Sequence, residues 1–511
     1  MIQKNNLRFS IFIVFIIDLI LLFSYSSSAQ QKRRILIKKA DILISEEWHD
    51  TTVNLLRGHV VLEHEGALMY CDSAFMYEQL NSFDAFGNIH IDVSDTLDLF
   101  GDVLFYDGNT RIAEVHYNVR LIDKTTTLYT EHLFYDRNLE IGHYPDSGRI
   151  IDKDNILTSR NGYYFSRPRE YRFRENVVLR NPDYVLVTDT LNYDTKTRIA
   201  YVKGPSTITG KERYVYAEDG WYDTQKEMVS LKTHVFMRNK DRTLKADSVF
   251  YDDKISFGRA FRNITGHDTT YRVILNGDFA EYSDSLGYVF FTRRARVLYY
   301  EKKDTDTIYI HADTLRLTFD TAQQAKFFYA FNHAKFYRHD IQGMSDSMLY
   351  NYPDSMFVLY KIPVLWQDSN QLTADSIKIW VANQKVDSMT MYNTAFIIQR
   401  DDSGTFNQMR GRDMFAYFVD GEMRKVFVKG NSETVYYIRE EDGSLTGINL
   451  AVSSNMVLLI EDNELTDIIY LIKPEGGTYP EKQFPADRLK LKGFEWHEQR
   501  RPRKPDDIFI W

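Results

Sequence analysis

The stretch "LKADSVFYDD", residues 244–253, is one copy of a phrase that the chain repeats at a fixed interval. Related copies are "LFGDVLFYDG" from Leu99, "LYTEHLFYDR" from Leu128, "LVTDTLNYDT" from Leu186 and "VYAEDGWYDT" from Val215. Six consecutive units without an insertion indicate a repeat architecture. The tyrosines of these units lie 29 residues apart, at Tyr106, Tyr135, Tyr164, Tyr193, Tyr222 and Tyr251.

Each unit contains two strand-like runs separated by a polar turn such as "DGNT". The first run ends at the repeated tyrosine, and the second follows it, as in "NVRLI" at 118–122 and "HVFMR" at 234–238. A single strand pair cannot bury an apolar face by itself, whereas stacked units can. Beyond Tyr251 the period loosens to about 31–34 residues, and the array extends from about Ile35 to about Tyr470.

The repeat predicts an all-β fold. No apolar stripe with a period of 3.6 residues recurs, which excludes helical repeats. Propeller blades usually need about 40–45 residues each. Two architectures remain: a β-solenoid with one unit per coil, or an elongated open β-jelly-roll in which two facing sheets grow by two strands per unit.

Strict alternation places the residues seven, five, three and one before each tyrosine on one face of the first strand. We expect this face to point inward and to line an apolar groove. The acid four residues before each tyrosine, such as Asp102 and Asp247, and the tyrosine itself are interpreted as structural ladder positions and not as catalytic groups. The residues of the predicted groove are Leu99, Val103, Phe105, Leu128, Phe134, Leu157, Tyr163, Leu186, Val215, Trp221, Leu244, Ala246 and Phe250.

The N-terminal residues 1–29 predict a signal peptide. Lys4 and Arg8 precede a long apolar stretch, and "SSA" ending at Ala29 fits a cleavage site. An uncleaved anchor helix is the alternative. Cys71 is the only cysteine, so an internal disulfide is excluded.

The remaining chain divides by the regularity of the repeat. Residues 30–260 follow the strict period, residues 261–482 follow the looser one, and residues 483–511 form a polar, basic tail that we expect to be solvated. The formal net charge of −9 argues against nucleic-acid binding, which requires a basic surface.

Motifs of known chemistry are missing from the sequence. It contains no HExxH, GxSxG, P-loop, GxGxxG or CxxC pattern. His59 and His64 are five residues apart, hence on opposite faces of a strand and poorly placed to share a zinc ion. We therefore predict a protein that is not an enzyme and has no metal or cofactor. A continuous apolar inner face is instead suited to acyl chains, which gain about 0.8 kcal/mol per buried CH₂ group.

Two stretches resemble a known family. Residues 409–480 carry "GRDMFAYFVDG", "VKGNSETVYY" and "TGINLAVSSNMVLLIEDN", and residues 43–77 carry a glycine–valine strand followed by Cys71-Asp72. These residues resemble the OstA-like branch of the LptA/OstA family, and the resemblance covers about residues 35–480. The chain is much longer than a typical single-domain LptA, which suggests a fused tandem or a longer span.

The resemblance implies an open β-jelly-roll in the periplasm, either free or associated with the inner or outer membrane. It implies a protein without enzymatic activity or cofactor that carries lipopolysaccharide, with the lipid A acyl chains inside the groove. The implied partners are homologous β-jelly-roll domains of inner- and outer-membrane transport components, stacked through edge strands, with self-association as a further alternative. Two other hypotheses remain: a structural or adhesive β-solenoid at the cell surface, and a β-helical polysaccharide-processing enzyme.

Overall fold

The chain folds into two compact units, residues 1–174 and 175–511, which are treated separately below. The predicted signal peptide, residues 1–29, lies outside the described residues. Within the part that is described, no helix has the length and apolar composition needed to span a membrane. The computed structural model describes residues 34–511 except 49–50, 95–96, 124–125, 301–306, 384, 402, 441 and 462–463.

The predicted all-β class is confirmed, because the described residues form forty strands and every described pairing is antiparallel. The first unit contains β1 (Leu36–Lys39), β2 (Ile42–Trp48), β3 (Thr51–His64), β4 (Ala67–Tyr77), β5 (Ser82–Ser94), β6 (Leu97–Asp107), β7 (Ile112–Asp123), β8 (Thr126–Asp136), β9 (Ile141–Tyr144), β10 (Gly148–Asp152), β11 (Asn155–Ser159) and β12 (Asn161–Phe165). The next strand, β13 (Glu170–Arg180), contains the division between the units.

The second unit begins with long strands, continues with short ones and ends with long ones. Its strands are β14 (Tyr184–Asp194), β15 (Ile199–Gly210), β16 (Arg213–Asp223), β17 (Met228–Asn239), β18 (Arg242–Asp252), β19 (Phe257–Asp268), β20 (Val273–Ser283), β21 (Tyr288–Thr292), β22 (Arg296–Tyr299), β23 (Ile308–His311), β24 (Thr314–Phe319), β25 (Ala325–Phe331), β26 (Ala334–Tyr337), β27 (Ile341–Ser345), β28 (Ser347–Asn351), β29 (Met356–Tyr360), β30 (Val364–Gln367), β31 (Asn370–Thr373), β32 (Ser376–Ala382), β33 (Lys385–Tyr392), β34 (Phe396–Arg400), β35 (Phe406–Arg410), β36 (Asp413–Val419), β37 (Glu422–Arg439), β38 (Leu445–Glu461), β39 (Glu464–Leu471) and β40 (Glu475–Tyr479). Short 3₁₀ segments follow at Glu481–Gln483, Ala486–Arg488, Glu498–Arg500 and Pro505–Phe509.

Each long strand bends at a bulge near its middle. Between β6 and β7 the pairing register shifts between Phe100 and Val103. Opposite this shift, Tyr117 and Asn118 adopt left-handed φ angles of 63° and 53°. A bulge inserts an extra residue on one strand and changes the direction of the chain. The bend therefore divides every long strand into two halves.

The two halves belong to two ladders of hydrogen-bonded strands. We call the ladder that carries the repeated tyrosines ladder A, and the ladder that carries the leucines seven residues earlier ladder B. In the first unit, Leu128 of β8 pairs with Ile150 of β10 in ladder B, whereas Phe134 of β8 pairs with His143 of β9 in ladder A. In the second unit, the core contains buried residues from both ladders. They include Leu315 and Ala330 of ladder A and Val297, Phe336 and Leu365 of ladder B.

The tight turns of ladder A explain the aspartate that follows the repeated tyrosine. Asp107 Oδ1 accepts hydrogen bonds from the backbone N–H groups of Asn109 (2.7 Å) and Thr110 (3.3 Å). Asp194 Oδ1 caps its turn in the same way, at 2.7 Å from Lys196 N and 3.1 Å from Thr197 N. An aspartate in this position accepts hydrogen bonds from backbone N–H groups that a tight turn would otherwise leave unpaired. The "YD" of the repeat is therefore a strand end followed by a turn cap.

The basic tail, residues 483–511, differs from the prediction because it is folded against the outer face of ladder B in the second unit. Phe484 and Leu491 are buried with Phe396, Ile398 and Val435 of that ladder. A polar, basic composition predicted a solvated segment, but the tail also contains widely spaced apolar residues. These side chains pack on short strands whose outer face is itself apolar.

Buried glutamines hold the tail in place. Gln408 of β35 donates to Leu489 O and accepts from Leu491 N, both at 2.8 Å. Gln371 of β31 donates to Glu495 O and accepts from His497 N, both at 2.7 Å. A side-chain amide used in this way satisfies two backbone groups of the tail at once.

Lys335 of β26 anchors the end of the tail. Its Nζ donates to Arg500 O at 3.1 Å and to Ile510 O. The lysine is 2% exposed, and burial lowers its pKa to about 8. Two carbonyl acceptors compensate part of the cost of removing this ammonium group from water.

We expect Gln371→Ala to reduce the free energy of unfolding of the second unit by about 1–3 kcal/mol, because it removes the two hydrogen bonds that join Gln371 to Glu495 O and His497 N. Denaturant unfolding checks the value, and hydrogen exchange of the His497 amide should increase. Gln483→Ala, at an exposed position, is the matched control. Equal unfolding midpoints for the two variants would contradict this role of Gln371.

Candidate functional site

The candidate site is the apolar interior between ladders A and B. In β6, Leu97, Leu99 and Gly101 are buried before the bulge, and Leu104 and Tyr106 are buried after it. The bulge thus changes the phase of the alternation, so the side chains that point inward switch from odd to even positions. Alternation counted through the whole strand cannot detect this change.

The structure places the predicted groove residues in three groups. Those before the bulge are buried in the interior: Leu99, Leu128 and Leu157 in the first unit, Leu186 and Ala246 in the second. Two others are partly buried and pack against the core of the second unit: Val215 and Leu244. Those after the bulge lie out of phase with the interior: Val103, Phe105, Phe134, Tyr163, Trp221 and Phe250.

The expectation that these last six residues point inward is wrong for a physical reason. Phe105 is 40% exposed, whereas its neighbours Leu104 and Tyr106 are 0% and 2% exposed. The residue before each aromatic takes the inward place that was predicted for the aromatic. For the five aromatics these missed interior residues are Leu104, Leu133, Gly162, Gly220 and Val249, and Leu191 takes the same place before Asn192. Contact of the inward residues with lipid remains a prediction.

The repeated acid stabilises the bulge. Asp102 Oδ2 accepts a hydrogen bond from Asn118 Nδ2 at 2.6 Å, and Asp247 Oδ1 accepts one from Asn263 Nδ2 at 3.0 Å. Asn118 and Asn263 both have left-handed φ angles, a conformation that asparagine adopts more readily than most residues. The acid therefore has a structural partner at the bend.

The ladders end in turns on the side opposite the bulges, and we call this side the seam. In the described part of the first unit, backbone pairings do not join the ladders across the seam, but side chains do. Tyr106 of ladder A is 2.7 Å from Nδ1 of His64 in ladder B. Arg111 Nη2 donates to Glu65 Oε1 at 2.7 Å, and Arg137 Nη1 donates to His64 O at 3.0 Å.

A second contact crosses the seam further along the first unit. Tyr164 of ladder A donates its hydroxyl to Asp123 Oδ2 of ladder B at 3.1 Å. Burial and the nearby Asp123 carboxylate raise the pKa of Tyr164 to about 12, so the phenol stays protonated and remains a donor at neutral pH. Tyr106 and Tyr164 of the first unit thus have an apolar ring directed to the interior and a polar hydroxyl at the seam. No signal in the sequence identifies their partners, since Tyr164 and Asp123 lie 41 residues apart.

The interior of the first unit is packed with side chains. A cavity of about 30 Å³ is lined by apolar groups that include Leu121, Leu128, Leu133 and Phe173. A cavity of this volume has room for a few water molecules but not for an acyl chain. An acyl chain would therefore require the two ladders to separate.

The polar groups of the described residues do not assemble into a catalytic or metal-binding arrangement that we can identify. Within the part that is described, no group of three or more His, Cys, Asp or Glu side chains is placed to hold a metal ion. Cys71 is buried, which raises the pKa of its thiol to about 12 and keeps it unreactive at neutral pH.

Comparison with known proteins supports the resemblance seen in the sequence. Residues 32–189 and 173–247 match the family model described as OstA-like protein. None of the curated proteins matches the chain. Among solved structures, the crystal structure of LptH, the LptA homologous periplasmic component of the lipopolysaccharide transport device from Pseudomonas aeruginosa, is similar to part of it. The sequence identity is 15%, the TM-score is 0.20, and the similarity covers 22% of this chain and 80% of LptH. Residues 32–247 of the chain belong to the OstA-like family, as the sequence resemblance predicted.

Proposed function

We propose that the protein is a periplasmic lipopolysaccharide-transport protein that bridges the inner and outer membranes without catalysing a reaction. The observation that carries this proposal is the apolar interior between the two ladders, which side chains join at the seam in the described part of the first unit. Acyl chains enter between the ladders, and the polar head group stays at the seam in water. Membership of residues 32–247 in the OstA-like family supports the same function.

The partners that we propose are β-jelly-roll domains of membrane components, which add strands to an exposed edge. β2 pairs with β3, and its residues are exposed along its whole length. Ile42, Leu43 and Trp48 are 52–59% exposed on this strand. An unpaired edge with apolar side chains is a template for strand addition.

The test is photo-crosslinking to purified lipopolysaccharide from two neighbouring positions. A diazirine side chain at Leu128, which is 8% exposed and faces the interior, is expected to capture lipid. The same group at Tyr129, which is 43% exposed on the outer face, is expected to capture little. In cells, depletion of the protein should leave lipopolysaccharide in the inner membrane.

Normal lipopolysaccharide export after depletion would contradict the proposal. A second candidate, a structural β array, is favoured by one observation, the nearly filled interior of the first unit. Absence of lipid capture at both Leu128 and Leu186, in chains that remain folded, would favour the structural array.

A further inference from the structure

Two arginines of ladder A meet the end of one hairpin of ladder B at the seam of the first unit. Arg111 Nη2 donates to Glu65 Oε1 at 2.7 Å. Arg137 Nη1 donates to His64 O at 3.0 Å, and its Nη2 donates to Glu65 O at 3.4 Å. Arg137 Nη1 also donates to the hydroxyl of Tyr106, at 3.0 Å. We call Arg111 and Arg137 the arginine pair.

The arginine pair shares one carboxylate. Among the described residues that contact the two guanidinium groups, Glu65 supplies the carboxylate, whereas two carbonyl groups, a hydroxyl and a side-chain amide are neutral acceptors. The acids of the two turns that carry the pair have other partners. Asp107 and Asp136 cap the backbone N–H groups of their own turns, and Glu140 lies 3.2 Å from a nitrogen of Arg167.

The arginine pair directly borders the apolar interior. Tyr106 is 2% exposed, and its ring packs on Phe83 with the centroids 5.4 Å apart. Burial raises the pKa of Tyr106, and the positive charges of Arg137 and Arg111 act against this rise, so both guanidinium groups lie close to its hydroxyl. An amphiphile whose acyl chains lay between the ladders would therefore present its head group to the arginine pair.

Separation of the ladders would remove the partners that ladder B supplies to the pair. These partners are Glu65 Oε1, Glu65 O and His64 O, and all three belong to the turn between β3 and β4. A guanidinium group stays charged at physiological pH and cannot avoid the loss by releasing a proton. An anion that enters with the lipid would replace the missing acceptors. In the closed seam, the Glu65 carboxylate occupies the place of that anion.

We propose that the arginine pair binds the phosphate group of a phosphorylated lipid, which takes the place of Glu65 when the seam opens. This inference rests on the transport proposal and adds to it the residues that recognise the head group. Phosphate fits the pair because its several oxygen atoms can accept from two planar guanidinium groups at once. A lipid without an anionic group leaves both arginines without these acceptors.

The test uses the full chain with a diazirine side chain at Leu128 and two probes. One probe is lipid A that carries its phosphate groups, and the other is the same lipid A after enzymatic dephosphorylation. The measured quantity is the selectivity ratio, which is the half-maximal capture concentration of the dephosphorylated lipid divided by that of the phosphorylated lipid. For the wild-type residues at the seam we expect a ratio of at least about ten. For Arg111→Gln with Arg137→Gln we expect a ratio of about one.

Two control variants separate recognition of phosphate from closure of the seam. Arg120→Gln with Arg149→Gln removes the same charge from exposed positions on the outer face of ladder B and is expected to leave the ratio unchanged. Glu65→Gln breaks the ion pair at the seam but keeps both arginines, so the ratio is expected to persist. A purely structural role of the pair predicts the opposite, namely that breaking the contact from either side has the same effect.

A third variant covers poor folding of the double arginine variant. Arg111→Gln alone keeps the contacts of Arg137 with His64 and Tyr106 and is expected to lower the ratio. Inorganic phosphate without lipid is expected to leave the denaturant midpoint unchanged, because Glu65 occupies the pair in the closed seam. A stabilisation by inorganic phosphate that required the arginines would assign the pair to free phosphate and overturn the proposal.

The outcomes distinguish this inference from the transport proposal. Equal capture of the two lipids with the wild-type seam, or an unchanged ratio in the double arginine variant, would overturn the role of the arginine pair. The transport proposal would survive either result, because lipid would still be captured at Leu128. Capture of neither lipid at Leu128 would overturn both.

Discussion

Leu104→Lys is expected to destabilise the first unit by about 4 kcal/mol or more, whereas Phe105→Lys is expected to change its stability by less than about 1 kcal/mol. Leu104 is 0% exposed between the ladders, and an ammonium group there would have to lose its charge or open the core. Phe105 is 40% exposed and lies between Asp84 and Glu114, which would pair favourably with a lysine.

Denaturant unfolding of the two variants, followed by circular dichroism, measures this difference. The chemistry of the substitution is the same and the positions are adjacent, so only the direction of the side chain differs. If Phe105→Lys unfolded the protein and Leu104→Lys did not, the phase change at the bulge would be wrong. The alternation predicted from the sequence would then hold through the whole strand.

The phase change also explains which part of the interior could be predicted from the sequence. Leu99 and Leu128, which precede the bulge, are buried as simple alternation predicts, and their contact with lipid stays a prediction. The bulge itself is formed by pairs of left-handed residues, and only some of them contain glycine, such as Gly58 and Gly87. Where Tyr117 and Asn118 take this role, a single sequence carries little sign of it. The period of 29 residues therefore predicts the strands, but it does not predict which side chains point inward in the second half of each strand.

Local chemistry could have identified two other features. Asp107 followed two residues later by Asn109 is a recognisable turn pattern, and the structure uses it as a turn cap. The residues that the tail buries include Phe484, Leu491 and Ile508, and their apolar character is visible in the sequence of a segment that is otherwise polar and basic. The seam could not be identified from the sequence, because His64 and Tyr106 are 42 residues apart in the chain. They come into contact only when the two ladders face each other.

Fixing the seam is expected to abolish lipid loading. The variant with Glu65→Cys and Arg111→Cys replaces the two side chains whose 2.7 Å contact joins the ladders. The glutamate and arginine side chains that meet here are both long, so the Cα atoms of residues 65 and 111 are too far apart for us to assume a disulfide. A short bismaleimide is therefore the suitable cross-linker. The cavity lined by Leu121, Leu128 and Leu133 in the interior of the first unit measures about 30 Å³, so we expect an acyl chain to enter there only if the ladders separate.

The measurement is retention of radiolabelled lipopolysaccharide by the cross-linked protein and by the same variant without reagent. Asn109→Cys with Asn138→Cys, cross-linked between two turns of ladder A, is the matched control and is expected to load normally. Cys71 should not react, since burial raises the pKa of its thiol to about 12. Unchanged loading of the seam-locked protein would place the lipid outside the interior.

The expected loss follows from the energetics of the seam. Glu65 and Arg111 are 21% and 28% exposed at their side chains, and an ion pair at that exposure contributes about 1 kcal/mol or less. A few such contacts together stabilise the closed seam by only a few kcal/mol. Burial of an acyl chain contributes about 0.8 kcal/mol for each CH₂ group, so a chain with many CH₂ groups favours the open seam by more. A bound acyl chain can therefore replace the seam contacts, whereas it cannot break a covalent cross-link. Under the transport proposal, we therefore expect the seam to open when lipid enters and to close when lipid leaves.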